Sequence, residues 1–251
     1  YAQWQYSYRC LDMRYRLEAI AGQITQISLV DRVAECEQTA HQFQHSFDQW
    51  LKADSFRGIR ETLLGHVSVS EATRFILQIE DPVLQRLPWE QGDLFAQYQP
   101  AHVVLASPAY RQVVPSDHAS STVKILAILG NRTGINVERD REILEQLPGA
   151  SVTLLVEPSL DDLSDQLWQQ HWDILFFAGH SSSQDHYGTG QIYINRTESL
   201  TLDKLKYSLR HAIAQGLKIA IFNSCDGLGL ARSLADLQIP QVIVMREPVP
   251  D

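Results

Sequence analysis

The spacing of apolar positions divides the chain into two unlike parts. Between Gln3 and Ala53, Trp4, Tyr8, Leu11, Tyr15 and Leu17, and later Val33, Cys36, Ala40, Phe43, Phe47 and Trp50, recur at three- and four-residue steps. That period predicts two amphipathic helices, joined by the β-branched, polar stretch Gly22 to Val30. A third, shorter helix is expected over Phe56 to Leu64, stopped at Gly65. At Arg74 the period becomes two: Phe75, Leu77 and Ile79 alternate with Arg74 and Gln78, which predicts a strand ending at Glu80-Asp81-Pro82 and leading into Leu87-Pro88-Trp89. A second short run, His102 to Ala106, ends at Pro108, and the polar, turn-rich segment Gln112 to Ser121 is the linker candidate.

Beyond the linker the pattern is regular. Continuous apolar runs at Val123 to Leu129, Val152 to Val156, Ile174 to Ala178, Ile219 to Phe222 and Val242 to Met245 read as buried strands. Helical periods separate them at Val137 to Leu147, Pro158 to Gln170, Leu202 to Ile213 and Leu228 to Leu237, with stops at Pro148-Gly149 and Gly216. Gln191 to Asn195, after Gly188 and Gly190, reads as half of an inserted hairpin. Strands alternating with helices predict an α/β fold, a doubly wound and mostly parallel sheet with helices on both faces, preceded by a helical leader. The expected division is 1–65 for the leader, 66–121 for an intermediate half with the linker, and 122–251 for the sheet domain.

Composition narrows the function classes. With 251 residues and 44% hydrophobic content, the chain can bury a core without disulfides or metals. Lys+Arg 21 against Asp+Glu 30, a formal charge of −9, disfavours a nucleic-acid partner, because a phosphate backbone is bound by cations that release counterions. No run approaches the roughly 20 apolar residues of a membrane span, so no membrane contact is expected of this chain. Three scattered cysteines, Cys10, Cys36 and Cys225, argue against a disulfide framework and for a reducing, cytoplasmic compartment.

In a doubly wound sheet, ligands bind at the carboxyl ends of the strands, so the residues just past each apolar run carry the chemistry. Two of these positions hold reactive groups. His180 follows Phe176-Phe177-Ala178-Gly179, and Cys225 follows Ile221-Phe222-Asn223-Ser224. If those strands are neighbours, about 4.8 Å apart, an imidazole and a thiol rise from one rim and form the minimum set for acyl transfer. Cys10 and Cys36 lie on helical faces and read as small buried hydrophobes. Gly179 and Gly227 suit the close backbone approach of an oxyanion site. A nucleophile elbow of the α/β-hydrolase kind needs a histidine after the nucleophile, but the last histidine is His211. The histidine instead stands 45 residues before the cysteine, close to the ~50 of the caspase arrangement. His171 and His186 lack metal-site spacing, Cys-x-x-Cys is absent, and Gly130 to Gly134 is not a phosphate-binding glycine loop, so neither metal nor cofactor is expected.

The motifs Phe176-Phe177-Ala178-Gly179-His180-Ser181 and Ile221-Phe222-Asn223-Ser224-Cys225-Asp226-Gly227, together with Leu87-Pro88-Trp89, resemble the CHAT family of caspase-like cysteine peptidases, in the version common in cyanobacteria. The likeness spans roughly Arg74 to Asp251, and the start of the chain, with Trp4, Trp50 and Leu51, looks like that group's leader. The resemblance implies His180 as general base and Cys225 as nucleophile, with an oxyanion hole built from backbone N–H groups near Ser181 and Cys225. It also implies that Arg74 to Ala106 is a degenerate half packed against the catalytic sheet. Family members continue past the fifth strand with further helices and a last strand that walls the cleft; the sequence given stops at Asp251, which implies either a piece of a longer protein or an incomplete cleft. By the same resemblance, the intact protein would carry a membrane-tethered sensor domain and act in signalling.

The reading that follows is a cytoplasmic cysteine endopeptidase acting on protein or peptide substrates, with the helical leader as a candidate intramolecular regulator. Asp226, Asn131 and Arg132 are candidate substrate contacts, although Asp226 equally suits a helix N-cap and Asn131 a turn. Two alternatives remain: a catalytically silent CHAT interaction module, and a flavodoxin-like ligand-binding signalling domain.

Overall fold

The structure is a computed structural model, and it describes residues 1–11, 29–69, 71–98, 101–106, 122–183, 190–224 and 227–246. The chain forms two compact units that divide between Ala106 and Ser107. The linker candidate lies outside the described residues.

The first unit contains α1 (Ala2–Arg9), α2 (Leu29–Lys52), a 3-10 turn (Asp54–Phe56) running into α3 (Arg57–His66), β1 (Thr73–Gln78), α4 (Pro82–Arg86), a 3-10 turn (Trp89–Gln91), α5 (Asp93–Ala96) and β2 (Ala101–Ala106). Leu29 and Val30 open α2 instead of belonging to its connection, and residues 22–28 of that expected connection lie outside the described residues. α3 runs through Gly65 to His66 instead of stopping before it. Glycine weakens a helix by about 1 kcal/mol but does not break it, and the turn to extended backbone comes at Val67. β1 and β2 pair in parallel from Thr73↔Ala101 to Gln78↔Ala106. A two-stranded sheet is not stable alone, and here it rests on aromatic packing. Phe47 and Leu51 of α2 share a core with Phe75, Trp89, Phe95 and Tyr98. The Trp89 ring meets Phe47 edge-on at 5.6 Å, and its indole N–H donates to the Leu84 carbonyl at 2.8 Å, so its one polar atom is satisfied inside that core.

The second unit contains β3 (Val123–Leu129), α6 (Glu138–Glu145), β4 (Ala150–Val156), α7 (Leu160–Gln169), β5 (Ile174–Ala178), β6 (Ser181–Ser183), β7 (Gly190–Tyr193), β8 (Ser199–Thr201), a 3-10 turn (Leu202–Leu205) running into α8 (Lys206–Ala214), β9 (Ile219–Asn223), α9 (Leu228–Asp236) and β10 (Gln241–Val244). Five strands form a parallel sheet in the order β10-β9-β5-β3-β4. This is an α/β fold with a mostly parallel central sheet flanked by helices. Leu126 and Ile128 of β3, Leu175 and Phe177 of β5, and Ala220 and Phe222 of β9 share one core with Leu163 and Leu167 of α7, Leu209 of α8, and Leu230 and Leu234 of α9. Leu129 and Ala178 instead cluster with Val137, beside α6, in a smaller core.

Two features of this unit place the site. The chain steps from β3 outward to β4, then returns past β3 to β5 and continues to β9 and β10, so the direction of winding reverses between β3 and β5. A crevice opens at the carboxyl ends of strands at such a reversal. The second feature is the insert after β5. The expected half-hairpin is a three-stranded antiparallel sheet, β6-β7-β8, with Ser181↔Ile192 and Ile192↔Leu200 in register. Its buried Ile192 and Leu200 join the main core, which anchors the insert beside the crevice.

Candidate active site

β5 delivers His180. Its last residue, Ala178, is in register with Asn223 at the end of β9, so the strands bearing the two sequence motifs are hydrogen-bonded neighbours. The ladder is extended by one contact, from the Gly179 N–H to the Asn223 carbonyl at 3.4 Å. Gly179 has φ +156, and a Cβ there would lie 3.0 Å from the Phe177 ring and 3.2 Å from the Gly130 Cα. Gly130, at the end of β3, is equally constrained. Its N–H donates to the Ala178 carbonyl at 2.8 Å, and a Cβ would lie 2.4 Å from the Tyr193 carbonyl oxygen. Two glycines side by side thus let the ends of β3 and β5 pass beneath the insert. The insert is fastened by the Tyr193 N–H on the His180 carbonyl, 3.0 Å, and by the Asn131 N–H on the Tyr193 carbonyl, 2.9 Å.

The His180 side chain lies partly exposed on this rim, with Nε2 2.8 Å from the Thr133 carbonyl oxygen. A carbonyl can only accept, so Nε2 carries the proton, and Nδ1 is the basic nitrogen of the neutral ring. Thr133 lies in the loop between β3 and α6, which leaves the carboxyl end of β3 where the winding reverses. The same connection reaches the neighbouring strand. Asp140, in the first turn of α6, accepts a hydrogen bond from the Asn223 side-chain amide at 2.9 Å. Burial pushes the Asp140 carboxyl above the ordinary carboxylate range, opposed by the Asn223 hydrogen bond and the Arg139 charge.

The remaining sequence candidates fall as follows. Ser181 opens β6, directly after His180. The Asn131 side chain closes its own turn, its Oδ1 accepting the Thr133 N–H at 3.0 Å. That turn presents the Thr133 carbonyl. Arg132 is exposed and paired with Glu138 at 3.1 Å. Cys225 and Asp226 lie outside the described residues; in sequence Cys225 stands two positions after Asn223, as His180 stands two after Ala178. Gly227 is the N-cap of α9, and its N–H donates to the Met245 carbonyl at 3.1 Å. A Cβ there would meet Val244 at 2.5 Å, so position 227 has room only for glycine. Of the other two thiols, Cys36 is buried in α2, where burial and the flanking Glu37 and Glu35 raise its pKa, and Cys10 is half-buried.

Two contributors escaped the sequence reading. Thr133 acts through a backbone carbonyl, which no residue type announces. Asp140 and Asn223 are 83 residues apart, and only the folded sheet brings them together. The available signal was positional: Thr133 lies four residues past the end of β3, and Asn223 stands inside the cysteine motif at the end of β9.

Among the described residues, no helix is long and apolar enough to cross a membrane. A comparison with curated proteins returned no match. A family model described as the CHAT domain matches residues 54–251, most of the chain and all of the second unit. On that match, together with a parallel sheet that carries the histidine and cysteine motifs on adjacent strands, the chain belongs to the CHAT domain family, which is related to caspase-like cysteine peptidases.

Proposed function

We propose that this domain is a cytoplasmic cysteine endopeptidase with a His180–Cys225 dyad, cleaving protein substrates in a signalling role. The observation that carries the reading is the hydrogen bond from His180 Nε2 to the Thr133 carbonyl. It fixes the tautomer, aligns the ring and leaves Nδ1 as the base. In the proposed reaction, Nδ1 takes the Cys225 thiol proton and the thiolate attacks the peptide carbonyl carbon. The negative charge moves onto the carbonyl oxygen, where the Ser181 and Cys225 backbone N–H groups would receive it. Collapse expels the amine, which leaves with the proton held on Nδ1. A water, deprotonated by Nδ1, then attacks the thioester, releases the acid and restores the thiol. While the ring is protonated, the Thr133 carbonyl keeps its hydrogen bond and offsets part of the imidazolium charge.

The test is the order of thiol alkylation by iodoacetamide in mildly acidic buffer, mapped by peptide mass spectrometry. An imidazole partner lowers a thiol pKa from about 8.5 to between ~3.5 and ~7.5, so Cys225 should react before Cys10 and Cys36, and His180→Ala should slow it by about tenfold or more. Equal labelling of all three thiols, or Cys225 labelling indifferent to His180→Ala, would favour a catalytically silent interaction module.

A further inference from the structure

The eleven residues after β3, Gly130 to Asp140, touch His180 and the end of the strand that leads to Cys225, at two chemically different points. Thr133 holds the base through its backbone carbonyl, 2.8 Å from His180 Nε2. Seven residues on, Asp140 holds the strand that leads to the nucleophile, through the Asn223 amide at 2.9 Å. The segment between is stiffened at its start by the Asn131 side chain on the Thr133 N–H, 3.0 Å. It is anchored at its middle by Val137, which is 3% exposed and packs with Leu129 and Ala178 at the ends of β3 and β5. The α6 helix begins at Glu138, so Asp140 is carried on a rigid element.

We infer that Asp140 is a positioning residue for the nucleophile: by holding the Asn223 side chain, it sets the end of β9, two residues before Cys225, relative to the histidine that the same segment holds at Thr133. The inference rests on the peptidase reading above. Asp140 need not touch substrate or thiol. Asn223 is the last residue of β9, and its own backbone carbonyl receives the Gly179 N–H at 3.4 Å, a long contact that leaves the junction dependent on its side-chain tether. The half-buried position of Asp140 raises its proton affinity, and the Asn223 amide and the Arg139 guanidinium act against that rise. Losing the tether would let the end of β9 drift, and Cys225 follows that end by two residues. A misplacement of about 1 Å is enough to cost a large factor in a reaction that depends on alignment.

Three variants separate positioning from simple structural support, read by the iodoacetamide rate at Cys225 with folding checked by circular dichroism and thermal melting. Asp140→Ala removes the acceptor and should slow labelling by about tenfold, the scale of one hydrogen bond lost at a partly buried site. Asn223→Asp sets two carboxylates against each other and should slow it at least as much. The exchange Asp140→Asn with Asn223→Asp restores a donor and an acceptor with reversed roles. It should return the rate to within about threefold of the parent, because the coupling between contacting residues is then regained. An Asp140→Ala variant that labels at the parent rate overturns the inference while leaving the dyad in place. Slow labelling that the exchange does not rescue overturns it too, since the defect would then be general. If parent labelling is itself indifferent to His180→Ala, the dyad falls and the inference with it.

Discussion

Both ends of the central sheet are tied across strands by an aspartate, and the two ties differ in kind. At the amino end, Asp173 takes the Lys124 backbone N–H of β3 at 3.0 Å on one oxygen and faces Lys218 Nζ at 3.4 Å with the other. Its backbone carbonyl accepts from Lys218 and Ile219 at 2.9 and 3.2 Å, so a single residue gathers β3, β5 and β9. The side chain is 11% exposed, and it meets a backbone N–H, the Lys218 ammonium and, at 3.9 Å, His171 Nε2. At the carboxyl end, Asp140 reaches β9 from a helix, through one side-chain amide, and burial works against its charge. A carboxylate that receives a fixed backbone donor and a lysine is a structural clasp. One held by an amide at the end of β9, the strand next to the one that leads to His180, is placed for geometry. Stability and reactivity should therefore separate along the strands, over a distance of one sheet.

The largest expected effect that sharpens this contrast comes from Gly130→Ala at the carboxyl end. The new Cβ would lie 2.4 Å from the Tyr193 carbonyl, which cannot move without shifting the insert, and 2.9 Å from the Phe177 ring, which is packed in the main core. Overpacking of this kind costs about 1–3 kcal/mol or more, and the variant should lose urea stability and fast Cys225 labelling together. Retention of both would mean the glycine contact does not hold the site. Next comes Asp173→Ala, which leaves the Lys124 N–H without its acceptor and should cost about 1–3 kcal/mol in urea unfolding. Labelling measured on folded protein should stay at the parent rate. A loss of labelling matching that of Gly130→Ala would erase the distinction between the two ends.

The smallest effect is electrostatic and has a definite sign. The folded-state pKa of Asp140 lies above its unfolded value, so between the two the folded chain holds a proton that the unfolded chain has lost. Stability from this group is present below the ordinary carboxylate pKa of about 3.9 and declines as pH rises through the raised value. Asp140→Asn removes that slope while keeping an acceptor for Asn223. Melting temperatures of parent and variant should diverge, in the variant's favour, as pH rises from acid to neutral. A parent that gains on the variant over that range would show that the buried carboxyl does not oppose the fold.

Much of this was legible because it is local. A buried parallel strand must be apolar on both faces, so Val123 to Leu129 and Ile174 to Ala178 mark their strands within the sequence, and the structure places β3 and β5 on the same residues. The capping signal at Ser159 is local as well: its hydroxyl accepts the Asp162 N–H at 3.2 Å, so α7 begins at Leu160 and not at Pro158. The helix through Gly65 was misjudged because one glycine is a weak stop when the turns on either side continue. The three-stranded insert was only half visible, since β6 is Ser181 to Ser183, a polar run whose pairing comes from β7 and not from its own pattern.

By itself the sequence determined the five central strands and the helices between them, that they alternate, and that His180 and Cys225 each follow a buried strand by two or three residues, because burial and turn chemistry act over a few neighbouring positions. The tertiary structure alone decided that β5 lies between β3 and β9, that a threonine carbonyl orients the imidazole, and that Asp140 meets Asn223. Strand order depends on which crossovers pack, and a backbone carbonyl has the same chemistry in every residue, so neither leaves a mark that can be read along the chain.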